Sequence, residues 1–499
     1  MNTRRFISVF LPLIAFCLLS ILLYWHFQLG LTRYFDVDEF AHLSWAFQMV
    51  SGRRPYVDFL FFFPPGFHLF LMPIFAFGAG IAPIFAARLI QFVIFVLLVG
   101  VTIALFWLMR RSWIAILAGV FLAFLPMPFD KFLEIRPDTL AVLFAMGGMV
   151  CQILALKGLT PPCRRAGFSG QKVKPYLFIA GICYGVSLLI LPKTLPQVGV
   201  AVGVEALRAL RFRESFKGLG NLLTGMFIPI SMFVLWTLTL GNIGQVIYSL
   251  TKLPVEANKI SQTFIMMPDL FFYPNVTFYG AAGWNTGILV NHAIWLVAIF
   301  VGLYRLVAPG RSWSEFLIAA TFFVQVIFYV QIVPLKHTQY LIPIAVFIAF
   351  YTADAVDMLW RKTQPGIFFL LFFLASIWFM QVFISVNSPK LTWTNADTIK
   401  QLTILYKTIP TSEYILDLTG ETLYYKHPYV VCCTPFGQSA PYLSRPLPAL
   451  IGALEKTNTK YIFEGGVKRV TTLEPADQTY IYKNFTPHPF ITGLLVRNK

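Results

Sequence analysis

Tyr34-Phe35-Asp36-Val37-Asp38-Glu39-Phe40-Ala41-His42 puts three carboxylates within four residues, directly after the first apolar run of the chain. Asp and Glu together number only 22 in 499 residues, so this cluster stands out. An amphipathic stretch over residues 40–50 follows. Then come Gly52-Arg53-Arg54-Pro55-Tyr56-Val57-Asp58 and, before a second apolar run, Pro64-Pro65. Charge at a membrane edge is costly unless it is solvated or used. The stretch therefore reads as the active-site loop of a membrane enzyme, and the rest of the chain as its scaffold.

The composition sets the scaffold. Hydrophobic residues make up 57% of the chain and charged residues 12%, where a soluble domain carries about 25% charged residues. So much apolar surface is buried in lipid, not in a water-soluble core. The net charge of +17 does not indicate a nucleic-acid partner. Lys and Arg fall in short clusters between apolar runs, as the positive-inside rule describes. The six cysteines, Cys17, Cys151, Cys163, Cys183, Cys432 and Cys433, show no metal-ligand spacing. The adjacent pair Cys432-Cys433 is expected to stay reduced, because bridging neighbours strains the ring.

Arg4 and Arg5 precede an apolar run over residues 6–27 with no small-x-small cleavage site after it. It reads as an uncleaved first helix with its N-terminus in the cytoplasm. The loop over residues 28–82 is then extracytoplasmic. Within it residues 67–77 are too short to span and read as re-entrant. Alternating basic inner turns give about eleven transmembrane helices over residues 1–387. Residues 388–499 are polar and read as a small extracytoplasmic α/β domain. Its expected strands lie at 414–418, 430–433 and 461–464, with an extended pair over 480–496. The expected fold is an α-helical polytopic membrane protein with a C-terminal α/β domain, in a bacterial cytoplasmic membrane.

This topology gathers charges on the outer edge: Asp36, Asp38 and Glu39; Lys131, Glu134, Arg136 and Asp138; Lys193; Lys336 and His337. Carboxylates beside cations suit group transfer from a lipid phosphate, since a carboxylate can take the acceptor proton and cations can hold the anionic leaving group. Simpler readings exist for each. Asp36 with Asp38 and Glu39 fits a helix N-cap with first-turn acids. Arg136-Pro137-Asp138 fits a Pro-initiated helix. Lys193 fits an interfacial anchor.

The Asp38-Glu39 pair opening an amphipathic segment, Pro55-Tyr56-Val57-Asp58-Phe59, and Pro64-Pro65 before an apolar run resemble the C-type integral-membrane glycosyltransferases. That group includes the protein O-mannosyltransferases and the lipid A aminoarabinose transferase. Glu134-Ile135-Arg136-Pro137-Asp138 resembles the second-loop motif of its bacterial members, and Gln339-Tyr340-Leu341-Ile342-Pro343 a late motif. The resemblance covers roughly residues 1–390. It implies transfer of one sugar from a polyprenyl-phosphate donor to a lipid, glycan or protein acceptor, with inversion. Asp38 would be the general base, Glu39 and Asp36 its neighbours, and Arg136 and Asp138 would lie near the donor phosphate.

Two positions depart from the pattern. Phe63 stands where His or Lys often precedes Pro-Pro, and Ala41 stands where the aminoarabinose branch has Arg. The phosphate clamp is therefore expected among Arg53, Arg54, Lys193, Lys336 and His337. Three carboxylates could hold a divalent cation, but the branch resembled works without one, and no cofactor is expected. The alternative function is a transporter or flippase for a lipid-linked or anionic substrate.

Overall fold

The structure is a computed structural model and describes residues 3–158, 174–212, 216–259, 276–333 and 338–498. Helix α1 (Thr3–Thr32) leads into the short connection that carries the acidic stretch, and α2 (Val37–Val50) follows at once. Next, α3 (Gly66–Leu71) continues into a 3-10 turn (Met72–Phe77). Gly66–Phe77 is thus a short apolar helix. A Cβ on Gly66 would fall 2.7 Å from the Leu189 carbonyl oxygen, so this position holds the helix against its neighbour only as glycine.

Then come α4 (Ala82–Arg110), α5 (Ala115–Phe124), α6 (Pro126–Leu133), α7 (Pro137–Gly158), α8 (Lys174–Ile190), α9 (Leu195–Arg211) and α10 (Phe216–Leu238). They are followed by α11 (Thr286–Val307), α12 (Trp313–Val326), α13 (Ile342–Lys362) and α14 (Pro365–Asn387). Every apolar segment expected to span is helical. Among the described residues eight helices are long and apolar enough to cross a membrane, nine if α5 and α6 count as one broken span. The expectation of about eleven spans is therefore not confirmed on length and composition.

The reasons are local. Leu125 precedes Pro126, takes an extended ψ of 113° as residues before proline do, and bends α5 against α6 by 80°. Helix α8 has only 17 residues. Helix α9 buries Gln197, Glu205 and Arg208. Its polar face is satisfied within the protein: Arg208 meets Glu205 at 2.7 Å, and Gln152 donates to the Ala201 carbonyl and to Glu205.

After α14 the chain forms a second unit. Helices α15 (Ala396–Thr408), α16 (Leu450–Lys456) and α17 (Pro475–Asn484) pack with a four-stranded sheet of order β1-β2-β4-β3. The strands are β1 (Ile415–Asp417), β2 (Tyr461–Phe463), β3 (Phe485–Pro487) and β4 (Leu494–Arg497). β1 and β2 are parallel and the other pairs antiparallel. Leu416, Ile462 and Leu495 close its core against Leu454 of α16 and Ile481 of α17.

Three expectations are corrected here. Residues 430–433 form no strand, because Val430 gives its carbonyl to the amide of Leu60 in the first loop and pairs with no sheet neighbour. Residues 480–484 are the last turn of α17, so the extended pair is shorter than expected. Cys432 and Cys433 are bonded to each other, contrary to the expectation of free thiols.

Candidate active site

Asp36 caps α2. Its carboxylate accepts from the Asp38 amide at 2.9 Å, and its own amide donates to Glu39 at 2.9 Å, which closes a capping box. The helix-cap reading of Asp36 thus holds, and it fixes how the next two acids point. Successive helix residues are turned by about 100°, so adjacent Asp38 and Glu39 face different surroundings.

The Glu39 carboxylate is fully buried. It takes two hydrogen bonds from Arg88, at 2.7 and 3.0 Å, and one from the Ile135 amide at 3.1 Å. Arg88 also donates to the carbonyls of Gly30, Arg33 and Tyr34 and stacks over Phe35. Glu39 is therefore fully occupied in joining α1, α2, α4 and the turn before α7.

Asp38 differs. Arg136 reaches its carboxylate at 2.9 Å, yet 51% of the Asp38 side-chain surface stays accessible. That accessible face, flanked by Arg136, Lys131 and Asp36, is the recess. Burial pushes the Asp38 carboxyl up, but Arg136 and Lys131 outweigh it and hold the group below the usual carboxylate range. Asp38 is thus an ionised carboxylate with an accessible face.

The floor of the recess is an ion network drawn from the helix ends. Arg136 is buried and bonds Glu134 at 3.1 Å, with Asp138 at 3.8 Å and Asp36 at 3.9 Å. Lys131 pairs with Asp36 at 3.2 Å and with Glu134 at 2.7 Å. Lys193, in the turn between α8 and α9, meets Asp138 at 3.1 Å and lies over the Tyr340 ring at 4.1 Å. Burial pulls the Lys193 ammonium down, against the opposing pull of Asp138. Arg33 and Lys390 both reach Asp130 at 3.4 Å. Burial and Asp36 push Glu134 up to about 7 despite Lys131, Arg136 and Arg33.

The other face of α2 is clamped by aromatic side chains. His42 and His68 share a hydrogen bond at 3.1 Å, both buried and both held neutral by burial. Trp45, Phe61 and Phe63 pack around them. Phe63, the residue before Pro-Pro, belongs to this packing and offers no charge.

Asp36, Asp38, Glu39, Arg136, Asp138 and Lys193 are therefore brought together. Arg53 and Arg54 are not. Arg53 is held by Gln48 and the Asp58 carbonyl, and Arg54 by the Asp58 carboxylate at 3.1 Å on an exposed edge. They drop out as clamp candidates because local partners in their own turn satisfy them. Lys336 and His337 lie outside the described residues. Arg33, Arg88 and Lys390 were not singled out from sequence. Arg88 had a readable signal, as a charged residue near the start of an apolar helix. No group of three or more His, Cys, Asp or Glu among the described residues is arranged to hold a metal. A cavity of about 210 Å³ opens in the C-terminal unit beside Tyr429, Cys433 and Leu450, lined by none of the network residues.

No protein-family model matches the chain, and no curated protein matches it in sequence. Solved structures do match in shape. ArnT from Cupriavidus metallidurans bound to undecaprenyl phosphate is 13% identical, with 97% of each chain covered and a TM-score of 0.57. Its apo state gives 14% identity, the same coverage and a TM-score of 0.54. The archaeal oligosaccharyltransferase AglB from Archaeoglobus fulgidus, in complex with an inhibitory peptide and a dolichol-phosphate, is 14% identical. That match covers 97% of this chain and 74% of AglB, at a TM-score of 0.52. The chain therefore has the polytopic fold of C-type glycosyltransferases.

Proposed function

We propose that this chain is a membrane glycosyltransferase that moves one sugar from a polyprenyl-phosphate donor to an extracytoplasmic lipid, glycan or protein acceptor, with inversion. The observation that carries the reading is Asp38, an ionised carboxylate open to a recess at the end of a helix bundle, beside carboxylates that are already occupied. The fold shared with ArnT and AglB, each solved with a polyprenyl-type phosphate, supports the donor class.

In this reading Asp38 accepts the proton of the acceptor hydroxyl as its oxygen attacks the anomeric carbon. The bond from that carbon to the phosphate oxygen breaks, and the lipid phosphate leaves as an anion. Lys193 and Arg136 stabilise the charge that develops. Asp138 positions Lys193, and Glu134 and Asp36 position Arg136 and Lys131. Glu39 acts through Arg88, holding α2 in place. Nothing in these steps calls for a metal ion, and the reaction is proposed to run without a cofactor. The N-terminus lies in the cytoplasm and the recess faces out of a bacterial cytoplasmic membrane. Transporters carry their charges near the bilayer midplane, whereas the charges here sit at the helix ends, which weighs against the flippase alternative.

The test is a panel of polyprenyl-phosphate sugars incubated with the purified protein, with and without EDTA. Release of polyprenyl phosphate from one donor, unaffected by chelation, is expected. No release from any donor would count against the transferase. Loss with EDTA and recovery with a divalent ion would overturn the metal-free scheme.

A further inference from the structure

Among the described residues, and with Glu134 ionised, the transmembrane part of the recess is electrically balanced. Arg33, Arg88, Lys131, Arg136, Lys193 and Lys390 face Asp36, Asp38, Glu39, Asp130, Glu134 and Asp138, six against six, and each has an ion-pair partner. A further cation reaches this network from the other end of the chain.

Its path is set by the sheet. β1 and β2 are parallel neighbours, with Asp417 opposite Phe463, so the loops leaving them emerge side by side. Loops at the carboxyl ends of parallel strands are where α/β units bind ligands. Asp417 fixes the first loop, accepting from the amides of Thr419, Gly420 and Thr422 at 2.6–2.8 Å. Gly420, at φ +89°, rests on the first turns of α2. A Cβ there would lie 2.8 Å from the Phe40 carbonyl oxygen and 2.9 Å from the Ala41 amide. The second loop stacks on the first, since a Cβ on Gly465 would meet Thr419 at 2.7 Å and Glu421 at 2.9 Å. It ends at Lys468, in the left-handed region, and Arg469 opens a short 3-10 turn.

Two features of Arg469 are unexplained by folding. Its Nη1 is buried with no described hydrogen-bond partner, and a buried donor without a partner is destabilising. Its guanidinium lies in the electrostatic field of Asp38 and Asp36, yet forms no ion pair with any described carboxylate. It adds a positive charge with no described ion-pair partner to the field of Asp38 and Asp36, on a turn whose preceding loop stacks on the loop that touches α2.

We infer that Arg469 is a phosphate anchor of the transfer site, its guanidinium holding an anionic phosphate on the side of the C-terminal unit that faces α2. The inference rests on the transferase reading above and adds the C-terminal unit to the binding site. A guanidinium suits this task because its fork can donate two parallel hydrogen bonds to a phosphate. The phosphate belongs either to the lipid donor or to the acceptor, and the two sources separate by experiment.

Equilibrium binding is measured on the full chain in lipid nanodiscs, for wild type, Arg469→Ala and Arg469→Lys, with melting temperature followed for each. One arm titrates undecaprenyl phosphate. The other titrates glycerol 3-phosphate into the protein with and without excess undecaprenyl phosphate. Arg469→Ala is expected to weaken one arm by about tenfold or more, and Arg469→Lys to recover part of the loss. A loss in the lipid arm assigns the donor phosphate, and a loss in the soluble arm an acceptor phosphate. Folded Arg469→Ala that matches wild type in both arms overturns the anchor. Wild type that binds glycerol 3-phosphate through Arg469 but never binds undecaprenyl phosphate overturns the donor reading and leaves the anchor standing. Wild type that binds neither overturns both.

Discussion

Asp38 and Glu39 are neighbours in sequence and opposites in environment. Glu39 is fully buried against Arg88 and Asp38 is half open, a separation made by one residue of helical rotation. Glu134 adds a titratable element to the same site. Its carboxyl, pushed to about 7 by burial and Asp36, is neutral below that pH and charged above it. When neutral it leaves Arg136 and Lys131 less compensated, so an anionic donor binds more tightly. The affinity for a polyprenyl-phosphate sugar, a phosphodiester whose own charge is constant, is expected to fall on the order of tenfold as pH rises from about 6 to about 8. Glu134→Gln should flatten that profile, and a variant with an unchanged profile would show that Glu134 does not titrate there. At this scale the sequence disclosed the acids but not their partners. Arg88 lies 49 residues from Glu39 and Lys390 lies 260 from Asp130, and no local pattern links them.

The element that the site depends on is α2. Arg88 holds one side of it, the His42–His68 pair with Trp45 and Phe63 packs the other, and Gly420 presses on its first turns. Removing one partner of a buried ion pair leaves an uncompensated charge and costs about 3–5 kcal/mol. Arg88→Ala and Glu39→Gln are therefore expected to lower the melting temperature of the purified protein markedly, whereas Asp38→Asn should not. Equal melting of all three would remove the distinction between positioning and chemistry. The helices themselves were legible, since each apolar run between basic turns is helical. The bend at Leu125-Pro126 was not resolved from an apolar run that continues through it. The strand expected at 430–433 failed because an apolar run of four residues says nothing about what pairs with it.

Across the whole molecule charge is sorted to the two ends of the bundle. One end holds the network around Asp38. The other holds Arg110 with Glu315 and with Asp354 at 2.6 Å, and Arg305 with Asp354 at 2.8 Å. The second group sits where basic inner turns were expected, and its carboxylates show that those turns are tied down as well as charged. The proposed orientation makes a direct prediction. In a background without other free cysteines, a membrane-impermeant maleimide should label exposed Ser444→Cys on intact cells, and Gln364→Cys only after lysis. The reverse pattern would turn the recess toward the cytoplasm.

The central claim is that Asp38 performs the proton transfer, and the most direct measurement is the single-turnover rate of sugar transfer by Asp38→Asn beside wild type. Asparagine keeps the size of the side chain and cannot accept the proton. The expected result is a loss of about 10²-fold or more, with the melting temperature and undecaprenyl phosphate binding retained. Near-normal turnover by a folded, lipid-binding Asp38→Asn would contradict the account.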